Sequence, residues 1–225
     1  MKIEIPETIF GFKVKGSLEL ALKQESPHPE PVVKPAIELS DYIHVPSINL
    51  YIAKQRTFQG KTWTDAHGEL QYQDLRMPTI PEFIAFVKYL KHDYKNRAEA
   101  ESILDDILTV QDPWRAEWLD ADFKVINKIL RINYNHRIVN GILKPMNSEP
   151  LEACLMKDHR VDLASFNKQG LPTKEGNDFN YWFTRSNNNS VAWFGADSDW
   201  AGLVCDGNPQ ISDSALGVRR AKNFP

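Results

Sequence analysis

The segment Pro78-Thr79-Ile80-Pro81-Glu82 constrains this chain more than any other stretch. Thr79 is a good helix N-cap and Glu82 follows three positions later, the spacing of a capping box. Proline is tolerated in a first helical turn because the N–H groups there have no partner within the helix. Phe83, Phe86, Val87 and Leu90 continue at helical spacing, so a helix starts here and buries one face. The pattern predicts a second helix over Ala98 to Val110, with Ile103, Ile107 and Val110 on one face, broken at Asp112-Pro113.

Around these helices the pattern is that of strands. Lys2-Ile3-Glu4-Ile5 and Phe10 to Lys15 alternate in period two, and Gly16-Ser17 is a turn signal. Ser26-Pro27-His28-Pro29-Glu30-Pro31, with Pro35 soon after, excludes regular helix or central strand. Residues 1–39 therefore read as an N-terminal β extension with a proline-rich connection, and residues 40–225 as the main domain. Ile48–Ile52 and Ile129–Tyr134 are strand candidates, and Ala215–Arg220 reads as a terminal strand. From Gly170 onward the chain is rich in Gly, Asn, Asp and Ser, interleaved with Tyr181, Trp182, Phe183, Trp193, Phe194 and Trp200. The expected class is α+β: two helices packed on a twisted, mostly antiparallel sheet.

Charge and composition remove several functions. A net charge of −3 gives no bulk attraction to nucleic acid. Cys154 and Cys205 form no C-x-x-C pair, which excludes a cysteine zinc knuckle and argues against a disulfide scaffold. His28, His44, His67, His92, His136 and His159 show no H-E-x-x-H and no i, i+4 pairing, so no metal or other cofactor is expected. No nucleophile elbow, P-loop or dinucleotide fingerprint is present, and no catalytic residue is assigned. His67-Gly68-Glu69 and Asp120-Ala121-Asp122 read as turn and strand-edge residues. No apolar run approaches the roughly 20 residues of a membrane span. The N-terminus lacks the apolar stretch of a secretory signal. Cytoplasmic synthesis is expected, which is compatible with display on a virion or cell surface. No heptad run points to an oligomeric state.

Two motifs carry a family resemblance. Leu75-Arg76-Met77-Pro78-Thr79-Ile80-Pro81-Glu82-Phe83 resembles the Arg-Leu-Pro-Thr-then-Glu helix start of the C-type lectin fold in its formylglycine-generating-enzyme subgroup. Ala215-Leu216-Gly217-Val218-Arg219 resembles the final strand of that fold. Tyr181–Ser186 resembles a central strand and Ser190–Phe194 the next one. Within that group the chain is similar to the variable proteins of diversity-generating retroelements, such as the phage major tropism determinant and archaeal variable proteins. The likeness covers roughly residues 40–222. It implies a C-type lectin-like fold whose C-terminal region, about 181–219, is diversified at adenine positions and binds a protein or surface ligand.

Three segments could form the ligand face. Arg185-Ser186-Asn187-Asn188-Asn189-Ser190 offers Asn187, Asn188 and Asn189, short side chains with both donors and acceptors and adenine-rich codons. An ordinary turn explains it as well. In Trp193–Trp200 the two tryptophans read as structural, with Phe194, Asp197 and Ser198 displayed. In Cys205–Ser214 the candidates are Asp206, Gly207, Asn208 and Asp213, again with a solvated turn as the plain reading. Trp182, Trp193 and Leu216 are expected to hold the core. A calcium-dependent sugar site lacks carboxylates, because calcium takes six to eight oxygens and Asp197 and Asp199 do not supply them. Two alternatives stay open: a copper-dependent formylglycine-generating-like oxidoreductase, which would need two sulfurs at one metal, and a non-diversified structural surface protein.

Overall fold

The computed structural model describes residues 8–9, 12–13, 38–110, 112–185 and 188–223. The chain divides into two units, Met1–Ala36 and Ile37–Pro225. In the first, β1 (Thr8–Ile9) and β2 (Phe12–Lys13) form an antiparallel pair. The expected strand at Lys2–Ile5 and the proline-rich connection lie outside the described residues.

The second unit is α+β. In chain order it holds β3 (Tyr42–Val45), β4 (Leu50–Thr57), α1 (Trp63–Tyr72), α2 (Ile80–His92), α3 (Arg97–Leu108), β5 (Arg115–Ile126), β6 (Ile129–Val139) and β7 (Ile142–Pro150). There follow β8 (His159–Val161), β9 (Phe179–Trp182), β10 (Ser190–Asp197), β11 (Trp200–Gly207) and β12 (Leu216–Asn223). A ten-stranded mixed sheet runs β3-β4-β12-β5-β10-β11-β9-β8, with β6 joined to β5 and β7 to β6. Its pairings are antiparallel except β12 with β5 and β11 with β9. Among the described residues no helix is long and apolar enough to cross a membrane.

Three helices pack on this sheet, one more than expected. The additional one, α1, starts at Thr62, whose hydroxyl accepts from Asp65 N–H at 3.2 Å. It buries Trp63, Ala66, His67 and Leu70, so His67 and Gly68 belong to a helix and not to a turn. In α2 the expected capping box forms, with Glu82 accepting from Thr79 N–H at 2.8 Å, and Phe83, Phe86, Val87 and Leu90 are buried. Helix α3 buries Ile103 and Ile107 but ends at Leu108, leaving Val110 beyond it and exposed.

Strand β5 is the centre of the sheet. Nine consecutive residues, from Arg115 to Phe123, are buried, which fits a strand covered on both faces. Four are charged, and each finds a partner. Arg115 donates to Thr109 O and Asp105 O. Glu117 accepts from Arg219 Nε at 2.9 Å. Asp120 meets His136, and Asp122 accepts from Asn133 Nδ2 at 2.6 Å. Asp120 and Asp122 are therefore core residues and not strand-edge residues. Burial without such partners would be strongly unfavourable.

One sheet face carries Leu119, Ala121, Phe123, Ala192, Phe194, Leu203 and Cys205 into a core shared with α2 and α3. The other carries Ala116, Trp118, Val191, Leu216 and Val218 against α1. Arg76 ties the α2 start to the last strand, with both backbone hydrogen bonds to Ala221, at 3.0 and 2.8 Å. Strand β9 lies next to the edge strand β8, so Tyr181–Trp182 is not central in this sheet.

Candidate functional site

The register of β5, β10, β11 and β9 sets Trp118, Trp193, Val204 and Trp182 side by side on one face. Helix α1 covers Trp118, whose indole N–H donates to Lys61 O at 3.1 Å. Beyond it the face is paved with half-buried indoles. Trp114 and Trp193 have ring centres 5.8 Å apart, Trp193 and Trp200 5.9 Å, and Trp200 and Trp182 4.5 Å, all edge to face. Two glycines make room for this paving. A Cβ on Gly195 would lie 2.4 Å from the Trp193 ring, and so would one on Gly207.

The expected ligand-face residues fall into two groups. Asp197 and Ser198 stand at the β10–β11 turn, where Asp197 Oδ1 accepts from Ser198 N–H at 2.6 Å. Asp213 is exposed and accepts from Ala215 N–H at 2.7 Å; Ala215 O in turn accepts from Ala116 N–H, at this same end of the sheet. Asn188, Asn189, Asp206 and Asn208 flank the other end, where Val191 pairs with Gly207. The two ends of β10 are about 20 Å apart at strand rise. Asn188 Oδ1 accepts from Val125 N–H at 2.6 Å, Asp206 from Arg185 Nε at 2.6 Å, and Asn208 from Gln210 N–H at 3.0 Å. Asn187 lies outside the described residues.

Two expected positions are not displayed. Phe194 is 2% exposed and packs against Phe83 and Phe179. Gly207 is buried beneath Trp193. Neighbouring strand residues point to opposite faces. Phe194 is therefore core and not displayed, while Trp193, on the opposite face, is half-buried and packs against the second core cluster. Leu216 is core, as expected.

A second constellation lies on the same sheet face, under α1. His67 from α1, Asp120 from β5 and His136 from β6 come together in the interior. Asp120 Oδ1 is 2.5 Å from His136 Nδ1, and Asp120 Oδ2 accepts from His136 N–H at 3.1 Å. His67 Nε2 stands 3.7 Å from Asp120 Oδ1, and His136 Nε2 3.6 Å from Asp122 Oδ1. Neither of these Nε2 atoms has a hydrogen-bond partner. The Trp63 ring closes the group edge-on, its centre 4.5 Å from that of His67 and 4.8 Å from that of His136. Burial pulls both imidazoles toward the neutral form. His67 is pushed down to about 4. At His136 the Asp120 and Asp122 carboxylates outweigh burial and hold it up at about 9. The group borders a polar cleft of about 610 Å³, also lined by Gln71, Arg76 and Arg137. Trp118, Asp120 and Asp122 stand at period-two spacing, which places the two carboxylates on one strand face, but nothing in the sequence joins His67 or His136 to them.

The two cysteines are free thiols. Burial raises both, and Cys154 adds to the rise at Cys205.

No protein-family model, no curated protein and no solved structure matches this chain.

Proposed function

We propose that this is a ligand-recognition protein whose binding face is the indole-paved surface of β9, β10 and β11, rimmed at one end by Asp197, Ser198 and Asp213. The observation that carries the reading is the row Trp114–Trp193–Trp200–Trp182, half-buried, with Trp193 seated on Gly195 and Gly207. Large rigid aromatics next to small polar side chains are what a recognition surface needs, because they offer contact area at little entropic cost. The finer reading is a C-type lectin-like domain with a retroelement-diversified C-terminal region. It is supported by the α+β architecture, by the α2 capping box and by a final strand in the expected place. It is supported too by side chains at Asn188, Asn189, Ser198, Asn208 and Asp213 that are exposed and lie outside the core. The ligand class is a protein or another surface polymer.

The test is a displayed library randomised at Ser198, Asp199 and Asp213, selected on immobilised protein targets. Folded members in near-parental yield, with binders that lose binding on Trp200→Ala, are expected. A library that fails to fold, or binders indifferent to Trp200 and Trp182, would contradict the reading.

A further inference from the structure

We propose that His67, Asp120 and His136 form a binding site for one divalent transition metal ion of the zinc class, at the inner end of the cleft beside α1. The three come from a helix and two strands, yet their ligand atoms lie within 4.8 Å of one another. Two imidazole nitrogens and one carboxylate oxygen are a borderline donor set, suited to zinc or cobalt and poor for calcium or magnesium, which want more oxygens.

What speaks against a purely structural cluster is the unsatisfied Nε2 of His67, the atom a metal would ligate, while His136 would ligate through Nδ1. The His67 side chain is 4% exposed and the His136 side chain 2%, and the Nε2 atom of each is buried without a partner. Buried polar atoms are rarely left so. A cation between His67 and Asp120 supplies the missing partner at His67. The 3.7 Å from His67 Nε2 to Asp120 Oδ1 is close to the ligand–ligand spacing of a tetrahedral centre with bonds near 2.0–2.1 Å. The His136 Nδ1–Asp120 Oδ1 pair, now 2.5 Å apart, holds a proton that a metal would displace, opening the pair by under about 1 Å. Outer partners are in place: Asp120 Oδ2 is fixed by His136 N–H, and Asp122 by Asn133 and Lys124. The cleft of about 610 Å³ gives an entry path and room for a further ligand.

The experiment is a titration of the chelator-treated full chain with Co²⁺ and Zn²⁺, followed by visible absorption and calorimetry. One equivalent is expected, with affinity reduced about 100-fold or more in His67→Gln and in His136→Gln. His44→Ala and His92→Ala should bind as the parent does. Absence of binding, or binding that survives both cluster variants, overturns the proposal. Should a cluster variant fail to fold, ¹⁵N-histidine spectra of the unaltered chain decide. Zinc-dependent shifts of the two signals from His67 and His136 support the site, and shifts of others or of none overturn it.

Discussion

The indole of Trp193 lies across Gly207 and Gly195 so closely that a Cβ on either would come within 2.4 Å of it. The paving of the proposed recognition face thus depends on two positions without side chains. At Gly195 the next neighbour is Ala116 Cβ at 3.1 Å, so Trp193 is the main obstacle there. Gly195→Ala should destabilise by about 1–3 kcal/mol, the usual cost of overpacking. In a Trp193→Ala background most of that cost should vanish, since the obstacle is gone. Denaturation of the four proteins of the cycle measures this, and equal costs in both backgrounds would show that the indole is not what the glycine accommodates.

Arg219 is fully buried, with Nε 2.9 Å from Glu117 and a terminal nitrogen 3.0 Å from Asp106. Its guanidinium also donates to Ala53 O and Lys54 O. Removing it leaves Glu117, 3% exposed, without its countercharge. Arg219→Ala should cost about 3–5 kcal/mol. A loss below about 1 kcal/mol by denaturant titration would mean that Glu117 finds water or another partner.

Glu82 holds two roles at the start of α2. It accepts from Thr79 N–H at 2.8 Å and from both terminal nitrogens of Arg76 at 2.6 Å. Glu82→Gln keeps an acceptor for the cap but loses the charged fork; Glu82→Ala loses both. The alanine variant should lose about 1–2 kcal/mol and the glutamine variant about half that. Identical melting curves for the two variants would assign the whole effect to the ion pair.

Tyr94 donates to Glu99 Oε2 at 2.5 Å, and this hydrogen bond, ahead of burial, pushes the phenol up to about 12. The protonated phenol is the favoured folded form. Its contribution to stability is therefore complete below the ordinary 10 and is lost as pH rises through about 12. Phenolate absorption, taken as the difference between the parent and Tyr94→Phe, should develop near the raised value. In Glu99→Gln it should return toward the ordinary one. A Tyr94 signal already complete at the ordinary value would refute the contact.

The parts of this fold that are legible in the sequence rest on local chemistry. The α2 capping box and its apolar stripe, the α3 face and the last strand all announce themselves within a dozen residues. What is hidden depends on distant partners. Strand β5 carries four charges in nine buried residues, and charge reads as solvent until Asp106, Arg219, His136 and Asn133 are known to meet it. Helix α1 was obscured by a histidine and a glycine within its short stripe. The site misreading is one of parity. Trp193 and Phe194 must point to opposite faces, and no local signal says which face α2 and α3 cover. The His67–Asp120–His136 group comes from three separate elements, and nothing in spacing along the chain joins them.

The proposed function requires a surface free to vary on a scaffold fixed beneath it. Sequencing the 3′ end of this gene across its natural population tests that directly. Substitutions confined to adenine-bearing codons between Arg185 and Leu216 are predicted, at exposed positions such as Asn188, Asn189, Ser198, Asn208 and Asp213. Gly195, Gly207, Trp193 and Phe194 should stay constant, and a near-copy of the region should lie close to a reverse transcriptase gene. A uniform 3′ end, or substitutions spread equally over buried and exposed positions, would contradict it.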